Sequence, residues 1–245
     1  MEGQPGSISW NRIEVLKLDY DQTCNLTCPS CRSRHSSTWV DGAKIAKIHE
    51  AVVKSGILER SNKVYVTGAG DPLTSMSIYW EFLRTLPTLV PGNPPSVILH
   101  TNGLLLDSKR WDLLGDTRRL VCQINVSLDA ATPETYQTNR GGSWTKLIDN
   151  LRFASDLKRD LVLFFVVQAN NYREFPEFVA LANDLGATGA ELLGLQNWGT
   201  YESEDYKFRA VHVKTHPQYQ DFQATLNKAV LFDRRGILKP FLMIG

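Results

Sequence analysis

Six short runs rich in branched and aromatic residues recur along this chain, at 13–19, 63–67, 96–101, 121–128, 161–168 and 190–195. Between them the apolar residues switch to a helical period. Ile45, Ile48 and Val52 share one face, with Gly56 as the stop, and Ile78, Phe82, Leu83 and Leu86 share another that Pro87 is expected to end. Trp144, Leu147, Ile148 and Leu151 follow Ser143 as N-cap; Phe175, Phe178, Val179 and Ala182 precede Gly186. Strands separated by helices need crossover connections, so the sheet is expected to be parallel and the class α/β. Six such units make a partial barrel.

After residue 196 the rhythm changes. Gln196 to Tyr201 is turn-rich and aromatic, and 217–231 reads as one more helix with Phe222, Leu226 and Val230 inward. The expectation is a core over 1–196 and a cap over 197–245, since fifty-odd residues are marginal as a separate fold. Trp198, Tyr201 and Tyr206 either line a substrate pocket or pack the cap.

In parallel α/β barrels, ligands sit where strand C-termini open into loops. Six strand ends here carry polar or glycine-rich residues: the cysteine loop, Gly68 to Pro72, Asn102, Ser127 with Asp129, Gln168 with Asn170, and Gln196 with Asn197. The strand interiors read as apolar.

The first of these loops is Cys24-Asn25-Leu26-Thr27-Cys28-Pro29-Ser30-Cys31, a C-x3-C-x2-C spacing. Thiolates are soft ligands that suit iron–sulfur clusters and zinc. Three cysteines leave one iron of a four-iron cube without a protein ligand, an arrangement suited to catalysis more than to electron transfer alone. The alternative is a closed Cys3His zinc site that adds His35, although structural zinc sites usually pair two separated half-sites. Cys122 opens its strand about five residues, or roughly 17 Å, from Ser127 and is expected to be a buried core thiol. His212 and His216 lack a ligand spacing.

These motifs, taken in order, resemble the radical SAM superfamily. CNLTCPSC matches its cluster loop. Thr67-Gly68-Ala69-Gly70-Asp71-Pro72 resembles its GGEP segment with Asp71 in place of glutamate; Thr101-Asn102-Gly103, Ser127-Leu128-Asp129-Ala130 and Arg140-Gly141-Gly142 follow at familiar distances. The subgroup is similar to the SPASM/twitch maturases, but no cysteine follows Cys122, so a single cluster is expected. The resemblance implies a partial (β/α)6 TIM-like barrel with a short C-terminal cap. It also implies a 4Fe–4S cluster on Cys24, Cys28 and Cys31, and S-adenosylmethionine on its open iron. Gly68, Gly70, Asp71, Asn102, Ser127, Asp129, Arg140, Gln168 and Asn170 would serve that cofactor. A reductant such as flavodoxin or ferredoxin would supply the electron. The implied substrate is a peptide, with a carbohydrate or nucleotide sugar as the alternative; a zinc-binding interaction protein is the rival from another class.

A net charge of +1 makes no electrostatic case for nucleic acid or a membrane surface, and no apolar run reaches membrane-spanning length. The first residues lack the pattern of a signal peptide, which points to the cytoplasm.

Overall fold

The computed structural model describes residues 12–32, 41–66, 70–239 and 241. Six parallel strands pair in chain order as one curled sheet, a partial barrel with helices on one face. They are β1 (Ile13–Leu18), β2 (Ser61–Val66), β3 (Ser96–Thr101), β4 (Val121–Ser127), β5 (Asp160–Val167) and β6 (Gly189–Gly194). The sequence locates every one within two residues.

The alternation of side chains along each strand separates two faces. Val64, Val66, Leu99, Ile124, Val126, Leu163, Phe165, Val167 and Leu192 are fully buried beneath the helices. The opposite, concave face is polar: Lys17 lies beside Tyr65, His100 beside Asn125, and Phe164 between Ser127 and Glu191. The expectation of apolar strand interiors therefore holds for one face only.

The helices are α1 (Gly42–Lys54), α2 (Ile78–Leu89), α3 (Ser108–Leu113), α4 (Pro133–Asn139), α5 (Trp144–Asp156), α6 (Phe175–Asp184), α7 (Ser203–Arg209) and α8 (Tyr219–Ala229). Side-chain caps start five of them: Asp41, Ser77, Asp107, Thr132 and Ser143 each accept a first-turn N–H. Pro87 does not end α2. It lies inside the last turn, and Val90 N–H still reaches Leu86 O at 3.0 Å. Proline removes one donor there, a small loss so close to the helix end.

The segment beyond β6 joins the same core. Phe222 of α8 is buried against Phe175 and Tyr172. Ala190 N–H donates to Ile237 O and Lys239 N–H to Ala190 O, both at 2.9 Å, so the chain returns along the β6 edge. Val230, expected inward, is 58% exposed because the helix tightens into a 3-10 turn at that residue. Cys122 is half-buried, with its thiol against Val97 O at 3.4 Å, so it is not a fully buried core thiol.

Candidate active site

The cysteine loop leaves β1 at the barrel rim and is held from two sides. Asp21 is buried, and its carboxylate accepts Thr23 N–H at 2.9 Å, Ser77 Oγ–H at 2.7 Å and Ile78 N–H at 2.8 Å. Tyr79 Oη accepts the backbone N–H groups of Tyr20 and Asp21 at 2.8 and 3.1 Å. The loop is thereby fixed to the first turn of α2. On its other side Asp71 N–H donates to Thr23 O at 2.8 Å. A Cβ at Gly70 would stand 2.5 Å from Thr23 O and 2.7 Å from Asp21 O. The close approach that Gly70 permits is to the cluster loop itself.

Within the loop, Cys31 N–H and Arg32 N–H both donate to Cys28 O, turning the chain so that the last two thiols share one bend. Cys24 and Cys28 are buried and Cys31 is half-buried. Burial pushes the Cys24 thiol up to about 11, and it raises Cys28 against the opposing pull of Arg140. Thiols so placed become thiolates when a metal supplies the positive charge. Arg32 Nη2 donates to Cys31 Sγ at 3.3 Å, and Asn102 Nδ2 lies 3.7 Å from Cys24 Sγ. Among the described residues, no three His, Cys, Asp or Glu side chains converge closely enough to hold a single ion. His35 and Gly68 lie outside the described residues.

The remaining candidates divide by what their polar atoms already do. Asp71 and Asp129, expected as cofactor contacts, have both carboxylate oxygens occupied by protein. Asp71 accepts Leu73 N–H, Thr101 Oγ1–H and Asn102 N–H at 2.8–3.0 Å, and burial raises its pKa. Asp129 accepts Val166 N–H at 2.8 Å and Arg140 Nη1–H at 2.9 Å, from a backbone with φ of 58°. Both carboxylates tie neighbouring strand ends together. Asn102 is 4% exposed and links β3 to the cluster loop through Asn25 Oδ1 at 2.8 Å. Asn170 is exposed and donates to Asn139 Oδ1 at 2.7 Å.

Three polar atoms at this rim are buried without a hydrogen-bond partner among the described residues: Arg140 Nε, Gln168 Oε1 and Tyr136 Oη. Burial works to lower the Arg140 pKa, but the neighbouring Cys28 and Asp129 charges outweigh it and raise the value. Arg140 O lies 3.7 Å from Cys28 Sγ, so this cation sits beside the cluster loop. Unpaired buried polar atoms are costly, and a ligand with donors and an anionic oxygen would satisfy these three. Tyr136 was not anticipated from sequence, because its place in α4 carries no strand-end signal.

Sequence reasoning also missed a line of side chains across the concave face. Ser127 Oγ is 2.9 Å from His100 Nε2, and His100 Nδ1 is hydrogen-bonded to Tyr65 Oη. Asn125 Nδ2 donates to Tyr65 Oη at 3.4 Å, and Gln123 Nε2 to Asn125 Oδ1 at 2.7 Å. His100 stacks on Phe164 with ring centroids 5.1 Å apart and planes at 28°. The signal was present as polar residues at alternate positions of β2 and β4, Lys63 and Tyr65 and then Gln123, Asn125 and Ser127, with His100 of β3 between them, which reads first as ordinary strand alternation. Trp198 is 71% exposed, while Tyr206 Oη–H donates to Leu195 O at 3.0 Å and so packs the turn after β6.

Residues 22–182 match the profile of the Radical SAM superfamily. GTP 3',8-cyclase of Petrotoga mobilis is 28% identical over 179 residues, 70% of this chain and 53% of that protein. A probable GTP 3',8-cyclase of Methanococcus aeolicus is 30% identical over 133 residues, 54% of this chain and 42% of that one. The chain spans about half the length of the curated relatives it matches. Among solved structures, Streptococcus suis SuiB bound to S-adenosylmethionine superposes with a TM-score of 0.62 at 14% identity, covering 96% of this chain and 51% of SuiB. Native anSMEcpe with bound AdoMet and a peptide gives 0.56 at 19%, covering 88% and 61%. The cysteine loop, the orphaned polar rim, the half-barrel and the profile match agree: the chain belongs to the radical SAM superfamily and is an enzyme that works with a 4Fe–4S cluster and S-adenosylmethionine.

Proposed function

We propose that this enzyme abstracts a hydrogen atom from a small polar substrate of the nucleotide or nucleotide-sugar class, held over the concave face of the barrel. The observation that carries the reading is the hydrogen-bonding surface of that face, where Tyr65, His100, Asn125 and Ser127 stand beside Lys17. The Lys17 ammonium, set against this polar wall, suits phosphate oxygens and ring hydroxyls better than an apolar side chain. The relatives named as GTP 3',8-cyclases act in the same direction. The peptide expectation drew on subgroup resemblance, and the likeness to SuiB and anSMEcpe supports the fold.

When bound and reduced by an external donor, the cluster and S-adenosylmethionine would supply the radical chemistry that removes the substrate hydrogen. The protein's part is to bind, orient and exclude water. Cys24, Cys28 and Cys31 would hold three irons. Arg140, Gln168 and Ser127 would take polar groups of S-adenosylmethionine, with Tyr136 beside them. Gly68 and Gly70 would keep side chains out of the way, and Asp71, Asn102, Asp129 and Asn170 would keep the loops in place. A small reductant such as flavodoxin or ferredoxin would deliver the electron.

The test uses anaerobically reconstituted protein with dithionite and S-adenosylmethionine. Nucleoside triphosphates, nucleotide sugars and short peptides are offered in parallel, and 5'-deoxyadenosine is measured. A nucleotide-dependent rise, with deuterium moving from labelled substrate into 5'-deoxyadenosine, is expected. Stimulation by peptides alone would overturn the substrate class; no 5'-deoxyadenosine from a fully loaded cluster would overturn the chemistry.

A further inference from the structure

The line of side chains on the concave face has a direction. Asn125 Oδ1 accepts from Gln123 Nε2 at 2.7 Å, which leaves the Asn125 amide hydrogens pointing at Tyr65 Oη, 3.4 Å away. A phenol that accepts from Asn125 sends its own proton to the next acceptor, His100 Nδ1. Neutral imidazole has one ring proton. With Nδ1 accepting, that proton sits on Nε2 and is donated to Ser127 Oγ at 2.9 Å. Ser127 Oγ thus accepts, and its hydroxyl proton is left to point outward. Ser127 is half-exposed at the C-terminal end of β4, where the rim opens.

We propose that Gln123, Asn125, Tyr65 and His100 form a one-way hydrogen-bond chain that fixes the Ser127 hydroxyl as a donor to an oxygen of bound S-adenosylmethionine. The four are positioning residues; Ser127 alone touches the cofactor. The proposal rests on the reading of Ser127 as a cofactor contact. Burial pushes the His100 pKa down to about 3, helped by Arg140 and Lys17, so the ring stays neutral through the working range. Its stacking on Phe164 holds it against rotation. Without the chain the Ser127 proton is free to turn back to His100 Nε2, and the cofactor oxygen then faces a lone pair.

The experiment measures affinity for S-adenosylmethionine by equilibrium dialysis of cluster-loaded protein without reductant, so that no turnover enters the reading. Ser127→Ala is expected to weaken binding roughly tenfold, about the loss of one hydrogen bond to a charged acceptor. Tyr65→Phe and His100→Phe should each weaken it about threefold or more, a fraction of the same bond. Neither should have a further effect in the Ser127→Ala background, whereas Ser127→Thr should restore the dependence on Tyr65. Ser127→Ala without effect would overturn both the contact and the chain. A Ser127→Ala loss with Tyr65→Phe unchanged would overturn the chain alone. Equal Tyr65→Phe losses with and without Ser127 would show a merely structural role and overturn it too. Tyr65→Phe removes one half-buried oxygen atom and keeps the ring, so the test stands even where His100→Phe fails to fold.

Discussion

Gly70→Ala is the sharpest test of how the barrel presents its cysteines. The new methyl carbon would lie 2.5 Å from Thr23 O, and ordinary contact begins near 3.4 Å, so the backbones must part by about 0.9 Å. Both obstructing atoms are main chain and cannot rotate away. A displacement of that size stretches the 2.8 Å bond from Asp71 N–H to Thr23 O beyond hydrogen-bonding range. Overpacking of this kind costs about 1–3 kcal/mol, and the lost buried hydrogen bond adds about 1 kcal/mol. Thr23 precedes the first cluster ligand, so the strain falls on Cys24. The variant is expected to unfold about 2–4 kcal/mol more easily in urea and to retain less iron per chain after anaerobic reconstitution. Gly42→Ala is the control: nothing among the described residues lies within 4 Å of its added carbon, and it should be neutral or slightly stabilising. Parental stability together with full iron loading in Gly70→Ala would refute the reasoning.

Three further outcomes follow from the site. Arg140→Ala leaves the Asp129 carboxylate, 1% exposed, without its 2.9 Å partner; breaking such a pair costs about 3–5 kcal/mol, and urea unfolding should show it. His100 titrates near 3 when folded, against an ordinary 6.5, so the unfolded chain binds its proton first as pH falls. The stability from this residue is complete above pH 6.5 and declines below it by at most about 1.4 kcal/mol per pH unit; His100→Phe should flatten that slope in denaturation curves taken between pH 7 and 5. Arg32→Gln removes a cation that donates to Cys31 Sγ at 3.3 Å, and a redox titration followed by EPR should place the cluster at a more negative potential; an unchanged potential would show that this donor leaves the cluster untouched.

What the sequence made legible was whatever local chemistry decides. Strands came through because branched residues cluster in short runs; Ser143 and Gly186 were readable because a cap and a positive φ, here 69°, each demand particular residue types. The cysteine spacing pointed to a thiolate metal site, and the ordered motifs around it pointed, by resemblance, to the cluster and S-adenosylmethionine. Helix α4 was missed, since its PETYQTN stretch is polar and carries no apolar period, and with it went Tyr136. Asp71 and Asp129 show a second limit. Their position at strand ends suggested ligand contact, but only the three-dimensional count of donors around each carboxylate shows that protein groups occupy them. Whether a polar side chain faces a ligand or a neighbouring loop depends on register between strands far apart in the chain. The same holds for the Tyr65–His100–Ser127 line, whose members belong to three different strands.

The tether from Asp21 and Tyr20 to the start of α2 bears on anyone wishing to exchange cofactor loops between relatives. A transplanted octapeptide would arrive without Ser77 and Tyr79, and its conformation would be left to the recipient's own helix. The inheritable module is discontinuous. It comprises the cysteines, the glycine that lets them lie close, and a helical turn more than forty residues downstream, three pieces that must travel together if the graft is to seize its irons.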